Sequence, residues 1–164
     1  EASLERPRLQ LTSSLAAMEA AGHGLRWIRR CAPSREAEPG EWALVNKLLD
    51  ALDVNLEPAV VLRSQSLLAV FGMQLLTLAG WALELEACVM CRTAAPKRAR
   101  VLVDIAAGGV VCRSCGGGGI EVGSRQRHAM LAAADSGIEF GELGDAQRTV
   151  ALVESTIVAH GEGR

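Results

Sequence analysis

Four of the five cysteines in this sequence fall into two Cys-x-x-Cys pairs, Cys88-Val-Met-Cys91 and Cys112-Arg-Ser-Cys115. Each such pair places two sulfurs on one tight turn, and four sulfurs brought to about 2.3 Å from a common ion make a tetrahedral zinc site. Four thiolates leave no open coordination position, so this zinc would hold structure and would not activate water. Other chemistries share the residues. A redox dithiol opens a helix in a βαβ unit and occurs once. Two disulfides suit a small secreted domain and would leave Cys31 unmatched. Iron or an iron–sulfur cluster also takes four thiolates. Structural zinc ranks first among these, and the residues alone leave the others open.

For the four sulfurs to meet, the chain between the pairs must double back. Arg100-Val-Leu-Val-Asp-Ile105 reads as a strand, Ala106-Ala-Gly-Gly109 as a turn and Val110-Val111 as the returning strand. The pairs therefore sit on an inserted zinc ribbon, a short β-hairpin spanning residues 86–118 or so. Gly116 to Gly119 then read as a flexible joint, because no phosphate-loop spacing or Lys-Ser/Thr follows them. Around the ribbon, Arg92, Lys97, Arg98, Arg100 and Arg113 are opposed by Asp104 alone. Such a basic patch could contact phosphate or an acidic peptide, with solubilising surface charge as the competing reading.

The elements that must carry this ribbon are helical. Pro7 suits a first helical position, and Leu11, Leu15, Met18, Ala21 or Gly22, Leu25 and Ile28 recur every three or four residues. Gly22 and Gly24 fall inside this stripe at about 1 kcal/mol each relative to alanine, which predicts a kink or break. Arg26, Arg29 and Arg30 mark a solvated helix end, and Cys31 is a buried or idle thiol. After a proline-containing connection over residues 32–40, a second helix opens at Pro39 or Gly40 with Trp42, Val45, Leu48, Leu49 and Leu52 as its apolar stripe. Past a joint at residues 53–56, Pro58 begins a long helix, apolar on all sides, that ends at Gly80. This is the hub. Ser124 reads as the N-cap of a helix to Ala134, residues 136–144 as a loop, and Asp145 as the cap of a last helix with Val150, Val153 and Ile157 inward and Gly161 as its stop. His23, His128 and His160 lack a carboxylate or serine at motif spacing and read as structural.

Composition narrows the function. With 49% hydrophobic residues over 164, the chain can bury one core, and 3% aromatic content without tyrosine favours Ala/Leu-packed helices over a sandwich or barrel. A net charge of −2 excludes a wholly basic nucleic-acid binder, so any such contact is local. The uncharged stretch from Ser64 to Leu83 is long enough to span a bilayer, yet Ser64, Gln65, Ser66, Gln74 and Thr77 would lie in hydrocarbon. A buried helix fits better than a membrane span. The first residues lack a signal peptide, which together with thiolate ligands points to a reducing cytoplasm, and a start without Met predicts a fragment of a longer protein. No hydrolase, metallopeptidase, Walker or dinucleotide motif is present, which favours a scaffold over an enzyme.

One family shares this order of features. Phe71 to Leu78, Gly80, Leu83, Leu85, Glu86, Cys88, Cys91, Gly108, Gly109, Val110, Cys112, Cys115 and Gly116, with a closing Ile157-Val-Ala-His160, make the chain similar to the C-terminal region of the bacterial DNA repair and recombination mediator RecO. The resemblance implies a single helical domain over residues 1–164 and an N-terminal oligonucleotide-binding barrel that this chain lacks. It also implies a cytoplasmic, nucleoid-associated protein that anneals single-stranded DNA and loads recombinase without catalysis. RecR and the acidic tail of single-strand-binding protein would be its partners, and the absent barrel would hold most of the DNA affinity. Two readings compete: a zinc-ribbon DNA-binding transcription regulator, and a dithiol oxidoreductase.

Overall fold

A computed structural model describes residues 7–31, 39–55, 57–137 and 139–161. Most of the expected connection after Cys31 lies outside them. The fold is mainly helical, with six α-helices and one three-stranded antiparallel sheet among the described residues.

The first apolar stripe forms two helices, α1 (Leu9–Ser13) and α2 (Leu15–Cys31). Their break is at Ser14 and not at the glycines. Ser14 is extended, with φ −119° and ψ 118°, and its Oγ accepts the Ala17 N–H at 3.3 Å, so one serine closes α1 and caps α2. Gly22 and Gly24 lie inside an uninterrupted α2. At Gly24 a Cβ would come 2.6 Å from Leu48 Cδ2 and 3.3 Å from the Phe71 ring, so the glycine there serves close packing.

Helix α3 (Pro39–Leu52) buries Val45, Leu48 and Leu52. Trp42, expected on the same stripe, is 65% exposed. Gly40 lies beside Leu78, so the first turn of α3 meets the last turn of the hub. The hub is α4 (Val60–Leu78), beginning two residues after Pro58 and followed by Gly80 at φ 74°. It contacts α2, α3, α5 (Ser124–Ser136) and α6 (Leu143–Gly161). Ser64 and Ser66 are buried, while Thr77 is exposed. Ser66 Oγ accepts the Phe140 N–H at 2.6 Å, and Gln74 Nε2 donates to the Ala133 carbonyl at 3.3 Å. By length and composition α4 could cross a membrane, but more than half of it is buried inside the protein.

Between α4 and α5 lies the ribbon. Strand β1 (Val101–Asp104) pairs antiparallel with β2 (Gly109–Val110) as expected for the hairpin. A third strand, β3 (Ile120–Val122), pairs on β1's other edge. The glycines ahead of β3 are therefore no free joint: a Cβ at Gly118 would overlap the backbone of Val103. Val101, Val103, Val110 and Val122, with Leu83 and Leu85, join the same apolar cluster as the helices. Arg127, buried on α5, donates from Nη2 to the Pro96 carbonyl at 2.7 Å and fastens the ribbon loop to the helical body.

Two expected caps sit differently. Gly123 is the N-cap of α5, without a side-chain cap hydrogen bond, and Ser124 is its first helical residue. Asp145 lies inside the first turn of α6, where two arginines occupy its carboxylate. Val153 and Ile157 are fully buried, and the ring of His160 lies 5.4 Å from that of Trp81.

Candidate metal centre

Two turns of similar construction present the sulfurs. In the first, the Arg92 N–H donates to the Cys88 carbonyl at 2.9 Å and Arg92 itself takes φ 61°. In the second, the Gly117 N–H donates to the Cys112 carbonyl at 3.0 Å, with Gly116 at φ 109° and Gly117 at φ 73°. Left-handed backbone costs a side-chain-bearing residue about 1–2 kcal/mol. Replacing Arg92 by glycine is thus expected to raise stability by about 1 kcal/mol in denaturant melts. A lowered midpoint would show that the arginine side chain contributes more than its backbone costs.

The four Sγ atoms all lie within 4.8 Å of one another. Cys91 and Cys112 sulfurs are 3.7 Å apart, against about 3.8 Å for the edge of a tetrahedron with 2.3 Å zinc–sulfur bonds. Supporting donors are in place. The Cys112 N–H points to Cys88 Sγ at 3.3 Å and the Ser114 hydroxyl lies 3.2 Å from Cys112 Sγ, while the Cys91 thiol donates to Thr93 Oγ1 at 3.3 Å. Such contacts orient thiolates around a cation. Cys88 is buried, and Cys91 and Cys115 are exposed.

Proton affinities follow the donors. The backbone N–H groups of Cys112 and then Cys91 pull Cys88 down to about 6, and the Ser114 hydroxyl leads in lowering Cys112. Cys115 is pushed up to about 12, chiefly by its hydrogen bond to Cys112 and next by Cys91. A thiol hydrogen-bonded to neighbouring sulfurs holds its proton, which a bound cation would displace. The four cysteines are positioned to hold a metal ion, and the donor set is compatible with zinc.

A family model described as "Recombination protein O C terminal" matches residues 12–152. The chain belongs to the RecO C-terminal family. No curated protein and no solved structure matches it. A role in DNA repair and recombination follows from the family, which is that of a recombination mediator and not of a known catalytic type.

In this RecO C-terminal fold the basic residues of the ribbon differ in the cavities they line. Arg92, Lys97, Arg98, Arg100 and Arg113 are all exposed. Arg100 is paired with Glu121 of β3, which stands opposite Leu102 in the strand register. Arg98 and Arg100 line a polar cavity of about 600 Å³ together with Arg125 of α5 and Arg148 of α6. Arg113, with Arg100, instead edges a more apolar cavity of about 300 Å³ within the ribbon, and Arg92 and Lys97 line neither of these two. Arg125 and Arg148 are functional candidates that sequence reasoning missed. Their signal is long-range: both reach Asp145, Arg125 Nε at 2.8 Å and Arg148 Nη1 at 3.4 Å, and no local motif marks that meeting.

Proposed function

We propose that this chain is the partner-binding and metal-stabilised portion of a non-enzymatic recombination mediator. The observation that carries this reading is the convergence of four thiols in a chain of the RecO C-terminal family. Cys88, Cys91, Cys112 and Cys115 would hold one structural zinc, whose chemistry is to cross-link the ribbon. It neither activates water nor transfers electrons. The whole of residues 1–164 forms one helical domain with the ribbon inserted, and an oligonucleotide-binding barrel outside this chain supplies most of the affinity for single-stranded DNA. The protein works in the bacterial cytoplasm, bound to RecR and to the acidic tail of single-strand-binding protein.

A tail of that kind needs an apolar pocket beside a cation. The cleft between α3 and α4 fits: about 70 Å³, walled by Leu44, Leu48, Leu67 and Phe71, with Lys47 beside it. A fluorescent acidic tail peptide is expected to bind the zinc-loaded chain saturably and to be weakened by Lys47→Glu. Failure of both the peptide and RecR to bind would overturn the partner assignment.

The metal has its own readout. In the native loaded protein no cysteine is expected to react with an alkylating reagent. Chelation then exposes four, and unfolding the fifth, Cys31, because burial first and the Glu41 carboxylate second push its thiol up to about 11. Four reactive thiols before chelation, or a folded protein without zinc, would sink the assignment. A dithiol oxidoreductase would show a reactive low-pKa cysteine at the outset.

A further inference from the structure

The polar cavity formed by Arg98, Arg100, Arg125 and Arg148 belongs to neither the thiol cluster nor the α3–α4 cleft. Four elements build it: the ribbon segment leading into β1, strand β3 with Glu121, the first turn of α5 and the first two turns of α6. The N-terminal N–H groups of a helix have no intrahelical acceptor. At α5, a helix of 13 residues, no side chain caps them and no acidic residue lies in the first turn. Gly123, the cap residue, lines the cavity. Backbone donors and the positive end of the helix dipole thus face the same space as four guanidinium groups.

Three carboxylates oppose them, each differently. The Asp145 side chain is 9% exposed and lies between Arg125 and Arg148; it fixes the direction of both. Glu121 and Glu142 form exposed pairs with Arg100 and Arg125. Such surface pairs are worth about 0–1 kcal/mol and yield to a stronger anion. Arg98 has no partner among the described residues. A phosphate group, with its charge and forked geometry, matches what these arginines can offer.

We infer that this cleft is a second nucleic-acid site, in which the four arginines and the α5 N-terminus hold phosphate groups of a single strand. The inference rests on the recombination reading above and adds a strand contact on the helical domain itself. An acidic peptide with an apolar anchor fits less well, because the walls are arginine, glycine and other polar residues without an aliphatic side chain. Guanidinium planes can also stack on the bases of an unpaired strand.

The test is titration of the zinc-loaded 164-residue chain with a labelled oligothymidylate at several salt concentrations. Arg98→Ala with Arg148→Ala is expected to weaken binding at least about tenfold and to flatten its salt dependence. Arg26→Ala with Arg29→Ala, on the exposed side of α2, is expected to leave binding unchanged. Ser124→Glu separates binding from folding. An acid in the first turn of α5 favours the helix, so the melting temperature holds or rises while strand affinity falls. Tighter binding of a 5′-phosphorylated strand than of a 5′-hydroxyl strand would assign the strand end, and equal binding the internal phosphates. A double variant that binds like the parent would overturn the inference, as would parent protein that takes an acidic peptide in this cleft and no oligothymidylate. Either result, with zinc retained and the tail peptide still bound at α3–α4, would leave the proposed function standing.

Discussion

Replacing Cys88 by serine is expected to empty the metal site and unfold the ribbon while the helices around α4 persist. Cys88 is the buried member of the four and accepts the Cys112 N–H, so its loss removes both a ligand and the contact joining the two turns. An ion that binds only the folded chain stabilises it by about 4 kcal/mol at a thousand times its dissociation constant, and all of this is lost in the variant. Amide exchange should localise the effect. Protection of β1, β2 and β3 collapses, whereas α4 and α6, in contact along the core, keep most of theirs. Uniform loss of protection would instead mean that ribbon and helices fold as one unit. The same site predicts a pH dependence of known sign. The proton held by Cys115, whose thiol is pushed up to about 12, must leave when the ion binds, so apparent affinity rises at least about tenfold per pH unit between 6 and 9. A competitive zinc titration at several pH values checks this, and a flat profile would contradict it.

The second large effect concerns the hub. Gly72→Ala in α4 is expected to destabilise the protein by about 2–3 kcal/mol, although glycine to alanine in a helix interior normally gains about 1 kcal/mol. The reversal comes from packing: a Cβ at Gly72 would lie 2.8 Å from Trp27 Cζ3 and 2.8 Å from Val153 Cγ1, two fully buried side chains on α2 and α6. Gly22→Ala supplies the contrast. Its Cβ would meet only the flexible end of Arg26, at 3.7 Å, so it should gain about 1 kcal/mol. Chemical denaturation of the pair measures both signs. Equal and favourable shifts would mean that the helices can spread at Gly72 without cost.

These contrasts show what the amino-acid sequence discloses and what it withholds. The thiol cluster was legible because ligand type and spacing are local properties of Cys88–Cys91 and Cys112–Cys115, and the hub because an unbroken apolar run has few other uses. Gly22 and Gly24 look alike in sequence, but only Gly24 touches Leu48 and Phe71, so propensity misplaced the break that Ser14 makes. Strand β3 was missed because three residues behind a glycine run show too little alternation. The arginine cleft was half visible. Arg98 and Arg100 stand near the cysteines in sequence, whereas Arg125, Arg148 and Asp145 reach them only through the packing of α5 and α6. Trp42 failed for the opposite reason: it keeps the stripe's period, yet no neighbouring element covers it and it stays 65% exposed.

The glycine run after Cys115 bears on how the parts move together. Gly118 presses its backbone against Val103 so closely that no methyl group fits between them, and β3 passes into α5 through Gly123 alone. The run is a rivet and leaves no slack between the ribbon and α5. A ribbon that loosens is therefore expected to shift the backbone carrying Arg98 and Arg100 relative to α5 and Arg125. A zinc ion held by the four cysteines would in this way also brace the wall of the cleft that the ribbon supplies.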